Sequence, residues 1–203
     1  SYHVSCGRPD SELDRVEYSL SFDEPTAICG PVAVTLWATC TTVDTDFFVV
    51  VADVDEKGVV QTLQRGLLRA SHRALDSKKS VWANGGGPNA MIRPRHAHQA
   101  LEPLVPGKPY LFDLEVFPVG HVFRAGHSLA IGISQPPIGD PVTRHSDGNP
   151  AYRYESAPPP GRVTILHGSK HPSSILLPLL PELPPISAEP PRPGRQDGIF
   201  VFE

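Results

Sequence analysis

The residues nearest to covalent chemistry are Gly126-His127-Ser128-Leu129-Ala130, one residue short of the G-x-S-x-G elbow that presents a serine nucleophile. An elbow serine sits on a sharp turn between a buried strand and a helix. Here Ser128 is followed by Leu-Ala-Ile-Gly-Ile-Ser, which alternates with the period of a strand, and Ala130 stands where the second glycine belongs. Ser128 is therefore expected at the entrance to a strand, outside any acyl-transfer site.

Nine histidines raise metal binding next, chiefly through the pairs His96/His98 and His121/His127. A zinc site needs three or four convergent ligands, and neither pair lies in a Cys, Asp or Glu cluster with ligand spacing. They read as surface loop histidines. His121 and His127 flank the Phe123-Arg124-Ala125-Gly126 turn, whose backbone an imidazole can bond. Asp53-Val54-Asp55-Glu56-Lys57-Gly58 opens like a calcium loop, but Lys57 takes the fifth position and Gln64 the twelfth, removing an oxygen ligand and the bidentate carboxylate. A β-turn after a strand accounts for it. Asp44 and Asp46 share a strand face and could pair for acid–base work; the simpler expectation is that they cap the turn before a central strand. Gly85-Gly86-Gly87 lacks the spacing and the strand-to-helix setting of a phosphate cradle. No catalytic, cofactor-binding or metal-binding residue is assigned, and no cofactor is expected.

The elements that would position any of these residues are short apolar runs of period two, bounded by Gly, Pro or Asp. They fall at Val16–Phe22, Val32–Thr39, Phe47–Val54, Val59–Leu63, Gly66–Ser71, Tyr110–Phe117, Leu129–Ile133, Val163–His167 and Ser174–Leu177, with Gly198–Phe202 as a closing edge strand. Phe47–Val54 is rich enough in β-branched and aromatic residues to be covered on both faces. Residues 76 to 100 lose the periodicity and read as an excursion from the sheet with one helical turn. Leu180 to Arg195 is dense in proline and should run extended over the surface. Eight to ten strands and no helix of about 10 residues predict an all-β fold of two packed antiparallel sheets. One domain is expected over residues 1–203, with a core from about 16 to 177 and a proline-rich tail from about 178 to 197.

Composition narrows the function classes. Prolines number 24 in 203 residues, which opposes long helices and suits strand ends. Lys and Arg, 18 against 22 Asp and Glu, are scattered, so a nucleic-acid partner is not expected. No apolar run approaches the roughly 18 residues of a membrane span, and no membrane partner is expected. Three unpaired-looking cysteines, Cys6, Cys29 and Cys40, favour reduced thiols and a cytoplasmic setting, a secreted parent remaining open.

In order along the chain come Gly30-Pro31-Val32-Ala33-Val34-Thr35-Leu36-Trp37, Asp44-Thr45-Asp46-Phe47, Ala52-Asp53-Val54-Asp55 to Gly58, and Gly66-Leu67-Leu68-Arg69-Ala70. Glu102-Pro103-Leu104, Pro106-Gly107-Lys108-Pro109-Tyr110, Val122-Phe123-Arg124-Ala125-Gly126-His127 and Ile131-Gly132-Ile133-Ser134 follow. The series resembles the C-terminal domain of the X-Pro dipeptidyl-peptidase and cocaine-esterase-like (CocE/NonD) hydrolases, a group that includes α-amino acid ester hydrolases and acylases. The resemblance covers about Val16 to Leu177. It implies a jelly-roll β-sandwich of galactose-binding-like type, non-catalytic in itself, lying against an α/β-hydrolase domain that carries Ser, Asp and His. It further implies a part in shaping that domain's substrate cleft and, in some members, in joining subunits into homo-oligomers. The rival expectation is a carbohydrate- or ligand-binding sandwich, for which Trp37 and Trp82 are the aromatic candidates.

Overall fold

The period-two runs pair as antiparallel strands throughout a computed structural model, which describes residues 2–4, 15–83, 90–134 and 159–183. In chain order the strands are β1 (Tyr2–Val4), β2 (Arg15–Ser21), β3 (Thr26–Cys40), β4 (Asp46–Val54), β5 (Val60–Arg69), β6 (Val81–Trp82), β7 (Met91–Arg93), β8 (Tyr110–Phe123), β9 (Ser128–Ser134), β10 (Gly161–Ile165) and β11 (Ser174–Leu176). Hydrogen bonds order them β1-β10-β3-β8-β5-β4-β9-β2, with β11 also beside β3 and β6-β7 forming a separate hairpin. Yet β5 and β8 meet through one residue pair, Gly66 opposite Val116. The sheet therefore folds over at that joint into two layers, one centred on β3 and β8, the other on β4 and β9. Close approach at the joint needs glycine: a Cβ on Gly66 would lie 2.3 Å from the Glu115 carbonyl oxygen.

Inside the fold the alternation does what the sequence predicts. Val32, Val34, Leu36 and Ala38 of β3 and Phe112, Leu114 and Val116 of β8 face Phe47, Val49 and Val51 of β4 and Leu129, Ile131 and Ile133 of β9, all buried in one core. Phe47 and Phe112 meet across the layers with ring centroids 4.6 Å apart, and Phe22 meets Phe123 at 4.9 Å. Phe47, Phe112 and Phe123, fully buried, each contribute about 1.5–3 kcal/mol through burial alone. This is the expected all-β jelly-roll sandwich, and β4 is its doubly covered central strand, flanked by β5 and β9.

Local boundaries differ from the sequence reading for identifiable reasons. The separate strands expected at 59–63 and 66–71 are one strand, β5, which takes up Leu63 as a bulge opposite the step from Val51 to Ala52 of β4. Residues Ala70–His72 leave the ladder as a 3-10 turn. β3 and β8 run well beyond the expected spans because Pro31, which cannot donate to a ladder, is absorbed where the register shifts between Gly30 and Val32. The excursion expected at 76–100 carries the β6-β7 hairpin; Gly85-Gly86-Gly87 and Gly198–Phe202 lie outside the described residues, as does the proline-rich stretch beyond Leu183.

The segment from β10 onward runs down the whole outer edge of β3. β10 pairs with Ala38–Cys40, β11 with Ala33–Thr35, and Leu179 with Ile28. Cys29 donates to the Pro178 carbonyl at 2.9 Å and Leu180 to that of Ala27 at 2.9 Å. Among the described residues no helix is long and apolar enough to cross a membrane.

Candidate functional site

Ser128 opens β9, as expected, and its hydroxyl lies 2.9 Å from the hydroxyl of Ser21, its cross-strand partner. The turn before it closes with His127 N–H donating to the Arg124 carbonyl at 3.1 Å, and Gly126 takes the φ of 79° that such a turn requires. The neighbouring imidazole points elsewhere: His127 Nδ1 is 2.9 Å from Asp53 Oδ1.

Asp53 is the residue the sequence reading placed least well. It continues the inward row Phe47, Val49, Val51 at the end of β4 and is only 5% exposed. His121, on the inner face of β8, puts Nε2 2.8 Å from Asp53 Oδ2. One buried carboxylate thus takes two imidazoles and ties β4, β8 and the turn into β9 together where the sandwich ends. His121 and His127 are not surface histidines bonding a turn backbone, because the inward carboxylate is the stronger acceptor within reach. The calcium-like stretch divides: Asp53 serves the histidines, while Asp55 accepts from Lys57 and Val59 N–H at 2.8 Å each and caps the turn ending at Gly58.

Asp44 and Asp46 do not converge on a common centre either. Asp44 accepts from the Ser71 N–H at 2.9 Å, the Ser71 hydroxyl at 2.7 Å and the Thr45 N–H at 3.0 Å, which is the expected capping role extended to the 3-10 turn. Asp46 holds its cross-strand partner Arg69 bidentately at 2.9 and 3.0 Å. Burial raises the Asp46 carboxyl above its usual range, and the Arg69 guanidinium opposes that rise.

Folding adds His72 to the His96/His98 pair. The His72 and His98 rings stand 5.2 Å apart and those of His96 and His98 6.1 Å. Burial, then the neighbouring His98, pushes His96 down to about 4 and lowers His72. His72 Nδ1 and His96 Nε2 are buried without a hydrogen-bond partner among the described residues. No set of three or more His, Cys, Asp or Glu among the described residues is arranged to hold a metal ion.

A concavity lies on the outer face of the β3/β8 layer. With Val34, Leu36, Phe112 and Leu114 turned inward, the pleat sends Thr35, Trp37, Leu111 and Asp113 outward to form its floor. The excursion folds back over this face and supplies Trp82 and Met91 as one wall. The opposite wall is the arch between β10 and β11, which leaves β3 because Trp37 gives its N–H to Ser173 Oγ at 2.9 Å and its carbonyl to Leu166 N–H at 2.7 Å. Ser169 and Lys170 stand on that arch, and the His171 ring packs edge-on to Trp37 at 4.9 Å. The half-open cavity has a volume of about 540 Å³. Asp113, 9% exposed, accepts from Thr35 Oγ1 at 2.8 Å, and burial raises its carboxyl above the usual range. The alternation of β3 and β8 could have exposed Thr35, Trp37 and Asp113 as an outward set; only the tertiary path of the excursion makes a pocket of them.

Comparison with known proteins places these features. A family model described as the X-Pro dipeptidyl-peptidase C-terminal non-catalytic domain matches residues 3–176. Two proteins named as serine esterases, from Mycobacterium bovis and Mycobacterium tuberculosis, are each 34% identical over 118 residues, 57% of this chain and 18% of the relative. The chain thus matches under a fifth of their length. A CocE/NonD family hydrolase from Staphylococcus aureus superposes with a TM-score of 0.67 at 23% identity, over 82% of this chain and 30% of that one. An α-amino acid ester hydrolase does so with a TM-score of 0.57 at 19% identity, over 84% of this chain and 26% of the other. These likenesses support the same jelly roll, and the matched residues 3–176 run from β1 through β11; the chain belongs to the X-Pro dipeptidyl-peptidase C-terminal non-catalytic domain family.

Proposed function

We propose that the chain serves as the accessory domain of a serine hydrolase of the dipeptidyl-peptidase or acyl-esterase class, packed on its α/β-hydrolase domain and helping to shape the substrate cleft. The observation that carries this reading is the match over residues 3–176 to a domain family described as non-catalytic. The site geometry agrees with it, since the Ser128 hydroxyl is engaged by Ser21 and no histidine hydrogen-bonds it among the described residues. The names of the mycobacterial relatives supply the hydrolase class.

Two measurements test the proposal. The purified chain is expected to turn over neither chromogenic acyl esters nor Xaa-Pro amides, and turnover abolished by Ser128→Ala would overturn its non-catalytic part. Hydrogen exchange compared between this chain and the parent hydrolase is expected to slow over one continuous face in the parent. Equal exchange in both would remove the packing role.

A further inference from the structure

Three carboxylates are buried among the described residues, and they differ in what answers their charge. Asp46 has the Arg69 guanidinium and Asp53 has two imidazoles. Asp113 has one neutral hydroxyl, that of Thr35, on Oδ1. Its second oxygen has no partner among the described residues. The guanidiniums nearest in sequence register are spent on its strand neighbour, Glu115, which takes Arg93 at 2.8 Å and Arg95 at 2.9 Å. A buried carboxylate without a cation is costly unless something arrives to meet it.

The walls of the same cavity say what that something is. Both tryptophans of the chain, Trp37 and Trp82, line it. Indole faces attract a cation through the ring quadrupole, and they do so most where water is displaced. We propose that this pocket binds a small organic cation, an alkylammonium or guanidinium head that rests on the two indoles and donates to the Asp113 oxygen left open by Thr35. A volume of about 540 Å³ suits a small molecule or one side chain. Exposed Lys170 stands on the arch at the mouth and makes no ion pair with Asp113 among the described residues. A second positive charge on the ligand would meet it, so monocations bind in preference to dications.

Because no other tryptophan exists in the chain, tryptophan fluorescence, excited at the red edge where the five tyrosines do not absorb, reports on this pocket. The experiment titrates the full chain at neutral pH and constant ionic strength with n-butylammonium, with n-butanol as the uncharged control. A saturable fluorescence change with n-butylammonium and none with n-butanol is expected. Asp113→Asn should weaken the midpoint at least tenfold while leaving the near-ultraviolet circular dichroism intact, and 1,4-diaminobutane should bind more weakly than n-butylammonium. A response that never saturates, equal midpoints for amine and alcohol, or an unchanged midpoint in Asp113→Asn would overturn the proposal. Saturation by D-galactose without saturation by n-butylammonium would overturn it as well, in favour of a sugar site. The amine-against-alcohol contrast in the unmodified chain decides the matter even if Asp113→Asn fails to fold. N-acetyl-lysine methylamide separates the sources of the cation: saturation by it as well as by n-butylammonium brings peptide side chains into reach, and saturation by n-butylammonium alone restricts the site to free amines.

Discussion

Asp53 and Asp113 lie in opposing layers of the same sandwich, both nearly sealed from solvent, and differ in direction and company. Asp53 points inward at the end of the core, where the opposite layer and the following turn each bring an imidazole to it. Asp113 points outward beneath an excursion that covers it with indole and thioether and, among the described residues, gives its carboxylate no cation. The contrast teaches that burial alone does not mark a site. A buried charge whose partners come from its own fold holds the fold together, whereas one met by half of what it needs leaves binding energy for a ligand.

The largest effect that could break this contrast is at Asp53. Asp53→Ala strips two imidazoles of their acceptor where the layers meet, and urea denaturation should show a loss of about 3 kcal/mol. A loss no larger than that of an ordinary surface change would mean that Asp53 is no more structural than Asp113.

The next effect concerns an imidazole with no carboxylate partner. His96 is held down to about 4, against about 6.5 in an unfolded chain. Between those values the folded state binds fewer protons, so the full stability is present above about pH 6.5 and drains away as pH falls toward 4. Discounted for the ring's partial exposure, the loss is on the order of 2 kcal/mol. His96→Gln should flatten that part of the pH–stability curve, and thermal melts across the range check it.

The smallest effect has the opposite sign and sharpens the comparison most. Burial raises the Asp113 carboxyl, so the folded state binds more protons than the unfolded one above about pH 3.9. Its destabilising contribution is absent below that value and grows as pH rises through the folded-state pKa. Asp113→Asn should therefore leave stability unchanged or raise it by up to about 1 kcal/mol at neutral pH, by chemical denaturation. A loss equal to that of Asp53→Ala would merge the two carboxylates into one class.

Much of this was readable along the chain, and for reasons that name themselves. Two-residue alternation encodes which face of a strand is inside, so the core from Val32 to Ile133 follows directly. The turn at Gly126 and the capping by Asp44 and Asp55 are local events that local sequence can specify. What the chain did not disclose depends on residues far apart. Asp53 and His121 are 68 positions apart and meet only because β4 and β8 lie in opposing layers. Trp37 and Trp82 share a cavity only because an aperiodic stretch folds back across the sheet. Histidines 121 and 127 looked like loop residues because periodicity is silent about a bulge, and the shift opposite Pro31 is what turns His121 inward.

The chain that leaves β10 returns to close β3 from Cys40 down to Ala27, a distance in sequence of more than a hundred residues. Until that late arrival is in place, the longest strand of the sandwich offers a bare row of amides and carbonyls to any passing copy of itself. That closure is a non-local step, of the kind that loop entropy makes slow, and it must come before this edge is covered. Shortening the polypeptide at the last family-matched position, 176, would remove Pro178 through Leu180 and uncap the Ala27–Cys29 end. Anyone trimming this protein for production would do well to cut beyond Leu180.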